Sequence, residues 1–383
     1  MKDTIEVEAA VELLSRFVEI DTTNPPGNEK RLAVCIGAYM TAMGFDVCYQ
    51  DVGQDRTNIV AKVGHSPRKL IFAGHLDTVP VGDNWIGSPF EVVRQDNKLV
   101  GRGTADMKAA IACMICAAVS VKEFVKKCDL ELILLFVADE EVNGMGTQRF
   151  LSTYEKGAMN MVVLGEPTRN EIQIAHRGVE RIRVELYGQQ AHSSRMGKER
   201  NVIYALSQFL LELEKENRKK QSGISSALVV PSVGATRILA GMKDNVIPGC
   251  AECVLDYRTI PGQTSQSVSA EIEGILRRLF GQTKIRWKSH TFLSIAAAIE
   301  DREAAIVKCG EAAFRKTVKH DARFSCFPAC CDMFFFKQAG LDAIICGPGR
   351  IEQAHATGEY VEEDQLGTAI KLYRQIVLEC ACL

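Results

Sequence analysis

Apolar and polar residues follow two rhythms along this chain. In the first part, helical spacing alternates with short runs of nearly unbroken hydrophobicity. Ile5, Ala9, Val11, Leu14 and Phe17 recur at roughly helical intervals and predict an amphipathic N-terminal helix. The runs 70–73, 132–138 and 161–164 are apolar, and each gives way at once to polar residues and glycine. Such runs between helices predict central strands of a parallel sheet, because a strand covered on both faces needs no polar alternation. Between the first two lies DMKAAIACMICAAVSVKEFVKK. It predicts a helix opening at Asp106 and closing in lysines, as the partial charges at helix ends favour.

From about residue 178 the rhythm changes. Segment 179–187 (VERIRVELY) alternates apolar and polar residues, which predicts a sheet with one solvated face. An amphipathic helix is expected at about 201–219, strands at 228–233 and 251–257, a helix near 267–279, and a last strand around KIRWKSH. This strand–helix–strand–strand–helix–strand order is the ferredoxin-like two-layer α+β plan. After about 292 the first rhythm returns, with a helix at 303–314, a strand at 342–345 entering the turn CGPG, and a closing helix at 365–380. The expected architecture is an α/β domain, 1–177 plus 292–383, with a mostly parallel sheet and helices on both faces. An α+β domain, 178–291, is inserted into it.

Composition changes this picture little. A chain of 383 residues has room for two domains. A net charge of -2 gives no electrostatic reason to expect nucleic acid or an anionic membrane as partner. No apolar run approaches the ~20 residues of a bilayer span. Asp3, Glu6 and Glu8 interrupt the N-terminal apolar positions, unlike a secretory signal, so the expected location is the cytoplasm. The 14 cysteines are then expected to be reduced and to pack as small hydrophobes. Cys250 and Cys253 open the strand-like stretch CAECVLDYR without a turn to bring both thiolates onto one metal. A thiolate zinc site is therefore not expected there, nor in the cluster Cys326, Cys330 and Cys331.

The chemistry gathers where the apolar runs stop. IFAGHLDTVP places His75 and Asp77 just beyond one strand, LLFVADEEVNG places Asp139, Glu140 and Glu141 beyond a second, and VVLGEPT places Glu166 beyond a third. Asp106 precedes a helix, and His355 follows a fourth strand after GPGRIEQAH. In an open parallel sheet, ligands bind at the carboxyl ends of the strands. Each residue by itself reads more simply as a loop histidine, a helix N-cap or a solvated acid. Together they place several carboxylates on one rim, where they repel unless protonated or bound to cations. Nitrogen and oxygen ligands without thiolate favour zinc, with cobalt or manganese as substitutes. Five ligands, His75, Asp106, Glu141, Glu166 and His355, exceed one closed tetrahedral site and suit two divalent ions sharing a carboxylate. Asp77, two residues beyond His75, is placed to orient that imidazole.

These residues sit in GHLDTVP, GRGTADMK, ADEE, LGEPT, AHSS, NVIP, LDYRTIPG and GPG…QAH, and through them nearly the whole chain resembles the M20 metallopeptidase family. The resemblance implies a zinc-peptidase-like catalytic domain and an inserted domain that acts as lid and homodimer interface. It implies that Asp106 bridges two metals, His75 and Glu166 completing one and Glu141 and His355 the other. Glu140 would take a proton from the attacking water and pass it to the departing amine. His192, in QQAHSSR, would stabilise the oxyanion. Asn245 and Arg258 would hold a substrate carboxylate, assisted by backbone amides at Gly347 and Gly349. The implied reaction is hydrolysis of an N-acyl amino acid, of the acetylornithine deacetylase or succinyl-diaminopimelate desuccinylase type, with an M20 dipeptidase or carboxypeptidase as the alternative.

One stretch departs from the family pattern. Where many relatives carry a small polar sequence such as GGTD, this chain has Ala329, Cys330, Cys331 and Asp332, so no one member's substrate transfers directly. A dinucleotide-binding reading of GRGTADMKA fails because the third glycine is missing and Glu123, at the ribose-binding distance, falls inside a helix. A non-catalytic scaffold would lack the base or a ligand, and none is lost.

Overall fold

Four apolar strands lie parallel and adjacent at the heart of the larger of two units. The computed structural model describes residues 2–194, 201–222, 230–319 and 321–383. The chain divides into one unit of Met1–Ala175, Glu300–Phe327 and Cys331–Leu383, and a second of His176–Ile299 with Pro328–Cys330.

In the first unit, Arg68–His75 pairs in parallel with Glu131–Val137 on one side and Met159–Leu164 on the other, and Asp342–Ile345 extends the parallel set. Every residue of Glu131–Val137 is buried, which is why its sequence shows no alternation. Antiparallel strands Arg56–Val63 and Asp46–Gly53 continue the sheet beyond it. Their sequences conceal them: Asn58, Lys62, Gln50 and Asp51 break the apolar runs, and no residue of Asp46–Gly53 is buried.

The register levels the strand ends. His75 lies opposite Val137, Ala73 opposite Leu164, and Ile345 opposite Leu164. The residues just past each strand therefore emerge along one rim. Helix Ala109–Val125 is rich in Ala, Ile, Cys, Met and Val and is buried along most of its length. Glycines beneath its entry allow the close approach: a Cβ on Gly165 would stand 2.7 Å from Met107 Cε and 2.8 Å from Ala110 Cβ. Helix Glu363–Ala381 joins the same core, with the rings of Tyr373 and Phe72 5.4 Å apart and the Tyr373 hydroxyl donating to the Cys346 carbonyl at 2.8 Å. Fully burying each large apolar side chain contributes about 1.5–3 kcal/mol. Among the described residues no helix is long and apolar enough to cross a membrane.

The second unit follows the order Gly178–Tyr187, helix Val202–Ser222, Ser232–Ala240, Cys250–Thr259, helix Ser265–Phe280 and Arg286–Ile295. Its four strands form one antiparallel sheet in the order Ser232–Ala240, Cys250–Thr259, Gly178–Tyr187, Arg286–Ile295. Apolar residues of both helices and of alternate strand positions make a separate core around Phe209, Leu255 and Ile272. Of the strand expected at 228–233, residues 228–229 lie outside the described residues, and the observed strand begins at Ser232.

Candidate metal centre

The rim brings five potential ligands into two overlapping groups, both in the first unit. His75, Asp106 and Glu166 offer ligand atoms within 4.8 Å of one another, and so do Asp106, Glu141 and His355. Asp106 belongs to both, with Oδ1 2.9 Å from His75 Nε2 and Oδ2 3.4 Å from His355 Nε2. His355 Nε2 also lies 3.1 Å from the Glu141 carboxylate.

Local structure explains how each side chain arrives. His75 ends its strand, Glu140 and Glu141 lie three and four residues past Val137, and Glu166 lies two past Leu164. Asp106 differs from expectation. The helix opens at Ala109, and Asp106 and Met107 have non-helical backbones (φ −128°, ψ 95° and φ −135°, ψ 31°). Asp106 is not an N-cap. The buried Glu359 carboxylate accepts the amides of Ala105 and Asp106 at 2.9 and 3.0 Å, so the Asp106 side chain is free to face both imidazoles. His355 sits in a loop with φ 64°, a conformation uncommon for a side-chain-bearing residue.

Asp77 also works differently from expectation. His75 Nδ1 donates to the main-chain carbonyl of Asp77 at 2.9 Å, while the Asp77 carboxylate is 3.7 Å away. That carboxylate instead accepts the amides of Glu140 and Glu141, each at 3.1 Å, and Asn24 Nδ2 at 2.8 Å. Asn24 also donates to Asp139, and Asp139 pairs at 2.7 Å with buried Arg56, whose other partner is Glu29. The tandem glutamates are thus held by their backbone, leaving both carboxylates for chemistry. With Nδ1 donating to a carbonyl, His75 turns Nε2 to the rim, where it donates to the Asp106 carboxylate at 2.9 Å; a cation held there would take that nitrogen in place of the proton.

The electrostatics of this cluster call for cations. Burial, together with neighbouring carboxylates, pushes Glu140 and Glu166 well above the ordinary carboxylate range. Burial also raises Glu141, against the pull of His355. Burial works against ionisation of Asp106, but hydrogen bonds from His355 and His75 hold it below its usual value. Hydrogen bonds to Asp106 and Glu141 lift His355 to about 10. Two imidazoles and three carboxylates, crowded and mostly buried, are the donor set of a divalent N/O site, and they fit such ions.

Asp332 shares a small cavity with His75, Glu140 and Glu166. Burial raises its carboxyl to about 6, and it accepts a hydrogen bond from the Thr147 hydroxyl. Gly347 and Gly349 follow the strand Asp342–Ile345 in sequence, but their amides are engaged: Gly347 donates to Thr168 Oγ1 at 3.1 Å and Gly349 to Gln365 Oε1 at 2.8 Å. A Cβ on Gly347 would stand 2.3 Å from the Gly165 carbonyl oxygen, so glycine there serves close packing.

The remaining expected residues belong to the second unit. His192 is exposed on a short ladder opposite Val246, and its Nδ1 accepts the Ser194 amide at 3.2 Å, which leaves the proton on Nε2. Asn245, also exposed, accepts the Ser193 amide at 3.0 Å through its carbonyl. Arg258 directs its guanidinium at Asp256, with Nε 2.6 Å from Oδ1.

Residues missed from sequence are those with distant partners: Asn24, Arg56, Arg102 and Glu359. The signals that were present are modest, an arginine between glycines in GRG and a glutamate four residues after His355.

Comparison with known proteins agrees with this geometry. Residues 71–379 match the model of peptidase family M20/M25/M40. An acetylornithine deacetylase of Photorhabdus laumondii subsp. laumondii is 28% identical over 369 residues, covering 94% of this chain and 91% of the relative. Human carnosine dipeptidase 1 superposes with a TM-score of 0.77 at 17% identity, covering 100% of this chain and 98% of that one. The Bacillus subtilis YXEP protein, described as a dinuclear metal-binding peptidase, superposes with a TM-score of 0.75 at 15% identity and 98% coverage of both.

Proposed function

The chain belongs to peptidase family M20/M25/M40, and from that premise we propose that it deacylates an N-acyl amino acid, an N-acetyl group being the leading case. The observation that carries the reading is the Asp106 carboxylate, one oxygen toward each imidazole and one residue common to both ligand groups. It supports two divalent ions, zinc first, held by His75 and Glu166 on one side and Glu141 and His355 on the other. Bound there, such ions supply Lewis-acid polarisation of the scissile carbonyl and a more acidic water.

The protein's own groups do the rest. Glu140, unligated and next to Glu141, takes the proton of the attacking water and returns it to the departing amine. Burial raises its carboxyl well above the ordinary range, which favours its keeping the proton between the two transfers. His192 offers an Nε2–H suited to a developing oxyanion. The planar fork of Arg258 matches a substrate carboxylate, for which it would exchange Asp256, and Asn245 would assist. The inserted domain serves as lid and as the contact of a homodimer.

The acetylornithine deacetylase relatives favour deacylation over dipeptide cleavage. A panel of N-acetyl amino acids, N-succinyl amino acids and dipeptides, followed by amine release from the metal-loaded protein, tests this. N-acetyl substrates are expected to lead, and dipeptide preference would replace the reading with its peptidase alternative.

A further inference from the structure

Arg102 and Glu359 form a buried pair, each 1% exposed, that no step of the proposed reaction uses. Their contacts converge on the ligand-bearing segments. Glu359 Oε1 accepts the amides of Ala105 and Asp106, and its Oε2 accepts Arg102 Nη1. Arg102 Nη2 donates to the carbonyls of Pro80 and Val81 at 3.2 Å and of His355 at 3.5 Å, and Nη1 to that of Ala356 at 3.4 Å. The Trp85 ring lies 5.4 Å from the guanidinium carbon. One guanidinium thus ties the segment after His75, the carboxylate beneath Asp106 and the backbone at His355.

The two imidazoles differ in how else they are held. His75 ends a central strand and its side chain is 2% exposed, whereas the His355 side chain is 51% exposed in a loop with positive φ. Strand pairing fixes the first. The second depends on what grips its backbone.

We propose that Arg102 and Glu359 are positioning residues that hold the His355 loop against Asp106, and so set the affinity of the ion taken by Glu141 and His355. The pair fits this task because several carbonyls converge on one planar cation, a pattern lysine cannot reproduce. Asp106 is held by amides that survive a change at Arg102, so the ion of His75 and Glu166 is much less sensitive. This inference rests on the two-ion reading above.

The test is calorimetric titration of metal-free, full-length protein with Zn2+ alone, comparing wild type, Arg102→Lys and His355→Ala. Wild type is expected to take up two ions. Arg102→Lys should keep the first within about threefold and weaken the second by about 10–100-fold, the usual cost of losing a residue that orients a ligand. His355→Ala gives the reference for full loss of the second ion. Glu359→Gln, which keeps an oxygen for the two amides but opposes Arg102 with an NH2, should shift the same ion in the same direction. Thermal melts of the metal-free forms separate positioning from folding. The proposal is overturned if Arg102→Lys leaves the second ion within threefold of wild type, or weakens both ions equally. A wild type that binds fewer than two ions overturns the two-ion reading instead, and the clamp with it.

Discussion

At the scale of single residues, the tandem Glu140–Glu141 shows how adjacent side chains take different work. Both backbones hang from the Asp77 carboxylate, yet only Glu141 approaches His355. Glu140→Gln should therefore leave metal uptake unchanged while lowering kcat by about 10²–10⁴-fold, the usual worth of a positioned proton-transfer group. Metal analysis beside steady-state kinetics checks both halves, and unchanged turnover would remove Glu140 from its role. His176 offers a separate pH test. Its ring is fully buried, Nδ1 donates to the Arg177 carbonyl, and Nε2 meets no partner among the described residues. Burial holds its pKa down to about 4, so the folded ring stays neutral where the unfolded one takes up a proton. The unfolded state then binds more protons between pH 6.5 and 4, and stability falls as pH drops through that window. The contribution is on the order of 3 kcal/mol at the acid end. Denaturant unfolding of His176→Asn should show a correspondingly shallower loss between pH 6.5 and 4 than wild type.

At the scale of elements, the glycines at the strand ends act through backbone contact. Gly347→Ala would press a methyl onto the Gly165 and Glu166 carbonyls, 2.3 and 2.7 Å away, and backbone there cannot swing aside. A loss of about 1–3 kcal/mol is expected, read as a lower Tm. Elements of this kind are where sequence reading succeeds. Runs such as 132–138 declare central strands because both faces are covered, and ligands just past them follow from sheet topology alone. It fails where a partner is remote. Nothing in ADMKA tells that Glu359 takes the amides of Ala105 and Asp106, so the helix is read three residues too early. Nor does HLD reveal that Asp77 orients His75 with its carbonyl and spends its carboxylate on Glu140 and Glu141. Arg56 is equally silent, since its partners Glu29 and Asp139 are 27 and 83 residues away in sequence.

At the scale of the whole molecule, two hydrophobic cores are built from different residues, and the candidate ligands all belong to one of the two units. Calorimetry is expected to resolve two unfolding transitions, only one of them responsive to divalent metal. At free metal a hundred times each dissociation constant, that transition should gain about 2.7 kcal/mol for each ion bound, and chelator should return it. A shift of both transitions would show that the units melt together. The levelled strand ends have a further consequence. Hydrophobicity does not fix the register of strands that are apolar on both faces, because a one-residue slip exchanges one oily surface for another. Close contacts at Gly74, Gly165 and Gly347 supply the missing measure. Ile, Leu and Val can trade places within these strands at little cost, but their number cannot change without taking His75, Glu140 and Glu166 off the rim. The lettering of the sheet is thus open to drift while its arithmetic is not.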